Sequence, residues 1–271
     1  MTPAGDTWRG TFLAQMSSRE TDGHAWGVCG GNAGPVERNL MVRRLLVSSA
    51  LVLAVSGPAF AQDAVVGANI GGFLLKSEES RDREDVLRQN LSFLDFDLAD
   101  FNGVSIGGDF AVSLGSFVEV GAGVNFYQRT VPTVYAEFVD EDGTEIESDL
   151  KLRNIPIAFT AKLFPLTRDA GVQPYVGAGV QLNRWRYTEV GEFLDFSNGE
   201  IFRDSFTDDG MEIGPVFLGG IRFPVGANAL IGGEWRYSTA KADLDPALGF
   251  FGDKIDLGGH TVLFTVNFKL R

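Results

Sequence analysis

His260-Thr261-Val262-Leu263-Phe264-Thr265-Val266-Asn267-Phe268-Lys269-Leu270-Arg271 is the stretch on which the fold turns. His260, Val262, Phe264, Val266, Phe268 and Leu270 share one parity and are almost wholly apolar. Thr261, Leu263, Thr265, Asn267, Lys269 and Arg271 share the other and become polar toward the end. A period of two with one apolar face is the signature of a β-strand.

Working back from this strand, the same alternation recurs at 231–238, 213–223, 176–183, 154–163, 118–127 and 104–113, and more weakly at 66–74. The connections alternate in length. Short ones fall at 114–117, 165–173 and 224–228. Longer polar ones run about 77–102, 139–149, 189–211 and 241–256. A soluble sandwich alternates too, so the pattern needs a second observation.

That observation is an export signal inside the chain. Met41-Val42-Arg43-Arg44 is a basic start, 45–55 is apolar, and Ser56-Gly57-Pro58-Ala59-Phe60-Ala61 ends on an Ala-x-Ala site. These are the three parts of a secretory signal peptide. Its apolar stretch is too short to span ~30 Å of hydrocarbon, and Gly57 and Pro58 interrupt it at once. Cleavage between Ala61 and Gln62, with Ala59 as the other small residue of the site, leaves a mature chain of 62–271. Residues 1–40 carry neither periodicity and read as an unstructured extension, with the true start at Met41. The expected organisation is therefore 1–40 extension, 41–61 signal peptide and 62–271 a single β domain.

Removing 1–61 takes 5 of 23 basic and 4 of 36 acidic residues and leaves 18 against 32, a net charge of −14. Such acidity argues against nucleic acid as a partner, because phosphates need basic surface. The one cysteine, Cys29, is lost with the leader, so neither a disulfide framework nor a thiol nucleophile is expected. No later stretch has 18 consecutive apolar residues, as a spanning helix would need. An exported chain with eight alternating segments of about ten residues, and short and long connections in turn, fits the other spanning solution. The expected fold is all-β: a closed antiparallel eight-stranded transmembrane barrel with short periplasmic turns and longer extracellular loops.

Tyr175-Val176-Gly177-Ala178-Gly179-Val180, its echo Val120-Gly121-Ala122-Gly123-Val124 and the closing strand resemble the small outer-membrane barrels of the OmpW, OmpX and OmpA-transmembrane type. The resemblance covers the mature chain. It implies the outer membrane as location, and membrane lipid, lipopolysaccharide and the barrel-assembly machinery as partners. Members of that group usually end on an aromatic residue, whereas here Phe268 is followed by Lys269-Leu270-Arg271.

Three candidate sites follow. The non-lipid parity carries Asp109, Glu119, Lys162, Arg222, Glu234 and Arg236, which should pair across an interior only just wide enough for side chains. The reading is a polar plug or a narrow, glycine-lined channel. The long loops carry Phe93, Phe96, Phe193, Phe196, Phe202, Phe250 and Phe251, an apolar patch that either packs the loops together or forms a greasy mouth for a small apolar ligand. Acidic turns such as 140–143 match no calcium-loop spacing, so no metal site is expected. Nor is a catalytic set or a cofactor: His260 is the mature chain's one histidine, has lipid-facing parity and lacks a serine two residues on. The expected function is porin-like passage of small apolar solutes; the alternative is a non-conducting surface barrel whose loops serve adhesion or envelope integrity. A lipid A-modifying enzyme is the least supported.

Overall fold

The computed structural model describes residues 64–140 and 142–270. The expected leader and its cleavage residues Ala59, Ala61 and Gln62 lie outside them.

Eight strands form a ring: β1 (Ala64–Leu75), β3 (Gly103–Leu114), β4 (Val118–Val139), β5 (Glu145–Leu163), β6 (Gln173–Leu194), β7 (Ile201–Val225), β8 (Ala229–Ser238) and β11 (Gly259–Leu270). Each pairs antiparallel with the next, and β11 pairs back with β1 from Ala64↔Leu270 to Leu75↔Gly259. Closure leaves no free edge within the hydrocarbon, where an unpaired backbone group is costly. The three short turns lie at one end, 115–117, 164–172 and 226–228. Gly226 stands at φ 75° in its turn, a conformation a Cβ would strain.

The lipid-facing parity is as the sequence reads. Val104, Phe110, Val124, Phe159, Phe217, Phe264 and Phe268 all point outward, with Val104 66 % and Phe264 54 % exposed. Water could not tolerate a continuous belt of this kind, whereas acyl chains solvate it.

The loop boundaries need correction. The stretches expected as loops at 139–149 and 189–211 are largely strand. β4, β5, β6 and β7 are 22, 19, 22 and 25 residues long, and their connections shrink to 140–144 and 195–200. Crossing the hydrocarbon takes only ~9–11 residues, so four strands project about ten residues further as a curved wall. The alternation continues through the extension but its sense inverts, so a search for outward apolar parity misses it. Below, the inward residues of these strands are Glu119, Lys162 and Arg222. Above, they are Val131, Ile146, Leu150, Leu152 and Tyr187, all buried.

The other two connections fold into this wall. Residues 76–102 contain a short helix α1 (Val86–Asn90) and a two-residue strand β2 (Leu94–Asp95) on β4. Asp85 caps α1, accepting from the amides of Leu87 and Arg88. Residues 239–258 form a small hairpin, β9 (Lys241–Asp243) with β10 (Lys254–Asp256). Val86, Leu87, Leu94 and Phe101 from the first meet Ala242, Leu244, Ile255 and Leu257 from the second, and both pack on Tyr135, Leu150, Leu152 and Tyr187 of the wall. This is an apolar core of soluble type, seated on the extracellular end of the barrel.

Candidate functional site

The barrel interior is built in three levels. At the floor, Phe164, Tyr175 and Leu218 form a small buried cluster. The Arg222 guanidinium lies 4.7 Å from the Phe164 ring centre and 5.1 Å from that of Tyr175, and its Nη2 donates to Glu119 Oε2 at 2.9 Å. Arg168, from the 164–172 turn, reaches the same carboxylate oxygen at 3.8 Å. One step up, Glu234 accepts from Lys162 Nζ at 2.8 Å, from Tyr175 Oη at 2.8 Å and from Arg236. Two carboxylates thus hold four cations. Each is buried, so removing a carboxylate would strand charge away from water.

The middle level is an amide belt. Arg236 Nη1 donates to Asn125 Oδ1 at 2.9 Å, and Asn125 Nδ2 donates to Asn69 Oδ1 at 2.6 Å. Asn183 Oδ1 accepts from Gln181 and Asn154. Between them lies a cavity of about 20 Å³, room for a water molecule rather than for a solute. Phe73 and Tyr127 line it as well and stack edge-on at 4.8 Å. The apolar core described above forms the third level.

Of the six charges expected in the lumen, five therefore join two linked clusters. Asp109 also faces inward, beside Gly67 and Gly123, but among the described residues it makes no ion pair or hydrogen bond. Two of the inward glycines face neighbouring side chains rather than open space. A Cβ on Gly220 would fall 2.5 Å from the Tyr175 ring, and one on Gly177 would fall 2.9 Å from Leu218. Their missing side chains are the space that Tyr175 and Leu218 fill.

The loop phenylalanines divide into groups. Phe93 contacts Phe251 at 4.6 Å and Phe196 at 6.1 Å, which joins three different connections at the tip. Phe193 packs on Phe206 at 4.9 Å and on Phe202 at 6.0 Å along the β6–β7 hairpin. Phe250 covers Tyr187 and Phe96 covers Phe101. Phe196, Phe202 and Phe251 remain 41 %, 38 % and 43 % exposed.

Sequence reasoning missed the clamp between the two inserted connections. Arg81 donates to Asp85 at 2.8 and 2.9 Å and to the Asp256 carbonyl at 2.9 Å. Asp85 accepts from the Asp256 amide at 2.7 Å, and Lys76 pairs with Asp256 at 2.9 Å. The i,i+4 spacing of Arg81 and Asp85 is its one trace in the sequence. Also missed was Glu189, buried on the inner face of β6. It accepts from Asn90 Nδ2 at 2.7 Å and Tyr187 Oη at 2.8 Å, tying α1 to the wall. Burial pushes its carboxyl above the ordinary value and the two hydrogen bonds pull it part of the way back. The Tyr187 hydroxyl is pushed well up, first by burial and then by Glu189 beside it. His260 lies on the outer wall, stacked near Trp235 at 5.7 Å and Tyr237 at 5.0 Å.

The family model described as the outer membrane protein beta-barrel domain matches residues 47–269. Comparison with curated proteins finds no match. Among solved structures, the chain is similar to the outer membrane protein OprG from Pseudomonas aeruginosa, with 13 % identity over 78 % of this chain and 96 % of that one and a TM-score of 0.44. It is similar also to Neisserial surface protein A, with 15 % identity, 77 % and 97 % coverage and a TM-score of 0.42. A third is Ail, the attachment invasion locus protein of Yersinia pestis, with 11 % identity, 77 % and 98 % coverage and a TM-score of 0.36.

Proposed function

Because the chain belongs to the outer-membrane β-barrel domain family, we propose that it is a non-conducting surface barrel whose business is done by its extracellular extension. The observation that carries this reading is the apolar core over the lumen, in which Leu87, Phe101, Leu150, Tyr187 and Ile255 are all but inaccessible. An ion would have to cross that core and then the Arg222–Glu119 floor, losing its hydration at each. The same core makes the projecting wall rigid, and a rigid wall is a suitable platform for contact with a surface or a partner.

The rival reading, passage of small apolar solutes, draws on Phe196, Phe202 and Phe251, whose rings stay partly open at the tip. Reconstitution of the folded protein into a planar bilayer separates the two. The expected record is silent, with insertion verified independently. Discrete, reproducible current steps would overturn the proposal and return attention to the lumen charges.

A further inference from the structure

The lipid-facing rows of β5 and β6 end in a cluster of cations. Going up β5, the outward residues pass from Ile157 and Ile155 to Arg153 and Lys151. Going up β6, they pass from Leu182 to Arg184 and Arg186. In register, Ile155 faces Arg184, Arg153 faces Arg186 and Lys151 faces Thr188. Four positive side chains therefore occupy three successive outward rungs, directly where the apolar belt stops. Rungs of one face are ~7 Å apart, so the cluster sits at headgroup height. It lies on the side from which the long strands project.

The arrangement is electrostatically odd for a chain of net charge −13. Arg153 and Arg186 oppose each other directly across an antiparallel pair, where like charges destabilise. Two carboxylates offer partial relief: Asp209 lies 3.4 Å from Arg186 and Asp149 lies 3.4 Å from Lys151. Arg153 and Arg184 have neither a carboxylate nor a hydrogen-bond acceptor among the described residues. The neighbouring outward positions bring none: Gln128 on β4 opposes Arg153, and Met211 on β7 opposes Arg184. Planar guanidiniums held together without an anion are complementary to a phosphate, which each can grip with two parallel N–H donors.

We propose that Arg153, Arg184 and Arg186, with Lys151 beside them, bind a phosphate on the headgroup of an outer-leaflet glycolipid, whose acyl chains lie down Ile155, Ile157 and Leu182. The apolar rows immediately beneath the cations are what favour a lipid phosphate over a soluble one. This inference requires only that the barrel sit in the outer membrane, and it stands whether or not the lumen conducts.

The test is a titration of the folded full chain in detergent, read by native mass spectrometry, with diphosphoryl lipid A and with lipid A stripped of its phosphates. Diphosphoryl lipid A should bind at least about tenfold tighter, the scale of one charge-assisted contact. Arg153→Gln with Arg184→Gln should abolish that preference, whereas Lys241→Gln with Lys254→Gln on the cap should leave it intact. Folding of each variant is checked by its heat-dependent shift on gels. Should the glutamine pair not fold, Arg153→Lys with Arg184→Lys replaces it; that pair keeps the charge, loses the fork and should give a smaller loss in the same direction. Equal affinity for the two lipids, or a preference unchanged in the folded variant, would overturn the site, since the cations would then be merely solvated. Displacement of the lipid by inorganic phosphate at similar concentration would overturn it as a lipid site.

Discussion

The lower and upper halves of β4, β5 and β6 obey one geometry and opposite chemistry. Along β5 the inward parity runs Lys162, Ala158, Asn154 and then Leu152, Leu150, Ile146. The outward parity runs Phe159, Ile157, Ile155 and then Arg153, Lys151, Glu147. No bulge separates the halves within 145–163, and the register with β6 is continuous from Leu163↔Val176 to Ser148↔Gly191. What changes is the solvent outside. Where it is lipid, the apolar face must look out and the interior takes the polar groups. Where it is water, the ordinary order returns. A β-strand can therefore pass from a membrane fold to a soluble one without a turn, by exchanging the content of its two faces between one rung and the next.

Breaking the lower half should have the largest effect. Glu234→Leu would leave Lys162 buried and Arg236 half-buried without their counter-charge, a loss of about 3–5 kcal/mol. Equilibrium unfolding in lipid should show the whole barrel destabilised, and the folded gel band should convert at lower temperature. Leu150→Ala in the upper half should cost about 2–5 kcal/mol of local packing. Its signature should differ: protease sensitivity at 76–102 and 239–258, with the gel shift of the barrel retained. If Leu150→Ala melted the barrel as Glu234→Leu does, the two halves would be one cooperative unit.

A pair of substitutions on one face sharpens the comparison. Phe159→Arg and Glu147→Arg place the same side chain outward on the same strand. The first faces hydrocarbon and should cost about 2–4 kcal/mol. The second faces water and should stay within about 0.5 kcal/mol. Equal costs would mean that the boundary does not fall near Ile155.

The legibility of this fold in the sequence follows the same line. All eight strands could be read, because each keeps an apolar parity of at least four positions against lipid, as Val118, Val120, Val124 and Phe126 do. The extensions could not be read as strands, since Val131, Tyr135, Leu150 and Tyr187 lie on the parity that a lipid-facing template assigns to the lumen. The lumen charges were legible as inward-facing groups, because parity alone fixes that. Their partners were not. Glu119 and Arg222 are 103 positions apart, and Arg168 comes from a turn that has no parity. The fate of the inward glycines was likewise a matter of tertiary packing: a space in sequence became the seat of the Tyr175 ring. The loop phenylalanines could be marked as a patch, but their division into a joint at the tip and a lining of the hairpin depends on contacts across three connections.

The smallest effect is the most selective probe of the upper half. Glu189 is an acid in an apolar core with two neutral donors and no cation, and its folded pKa lies above the ordinary 4.5. A raised carboxylate pKa means that the folded state binds the proton more tightly than the unfolded chain does. Its contribution to stability is therefore fully present below about 4.5 and is lost as the pH rises through the raised value. Mild acidification should tighten the seating of α1 on β6, where Asn90 meets Glu189 and Tyr187. Hydrogen exchange at the α1 amides, corrected for the intrinsic pH dependence, should slow as the pH falls toward that window. Glu189→Gln keeps the oxygen that accepts from Asn90 and Tyr187 but cannot ionise, so it should show the slow exchange already at neutral pH and lose the pH dependence. An α1 that loosens on acidification in the parent chain would overturn this account of Glu189.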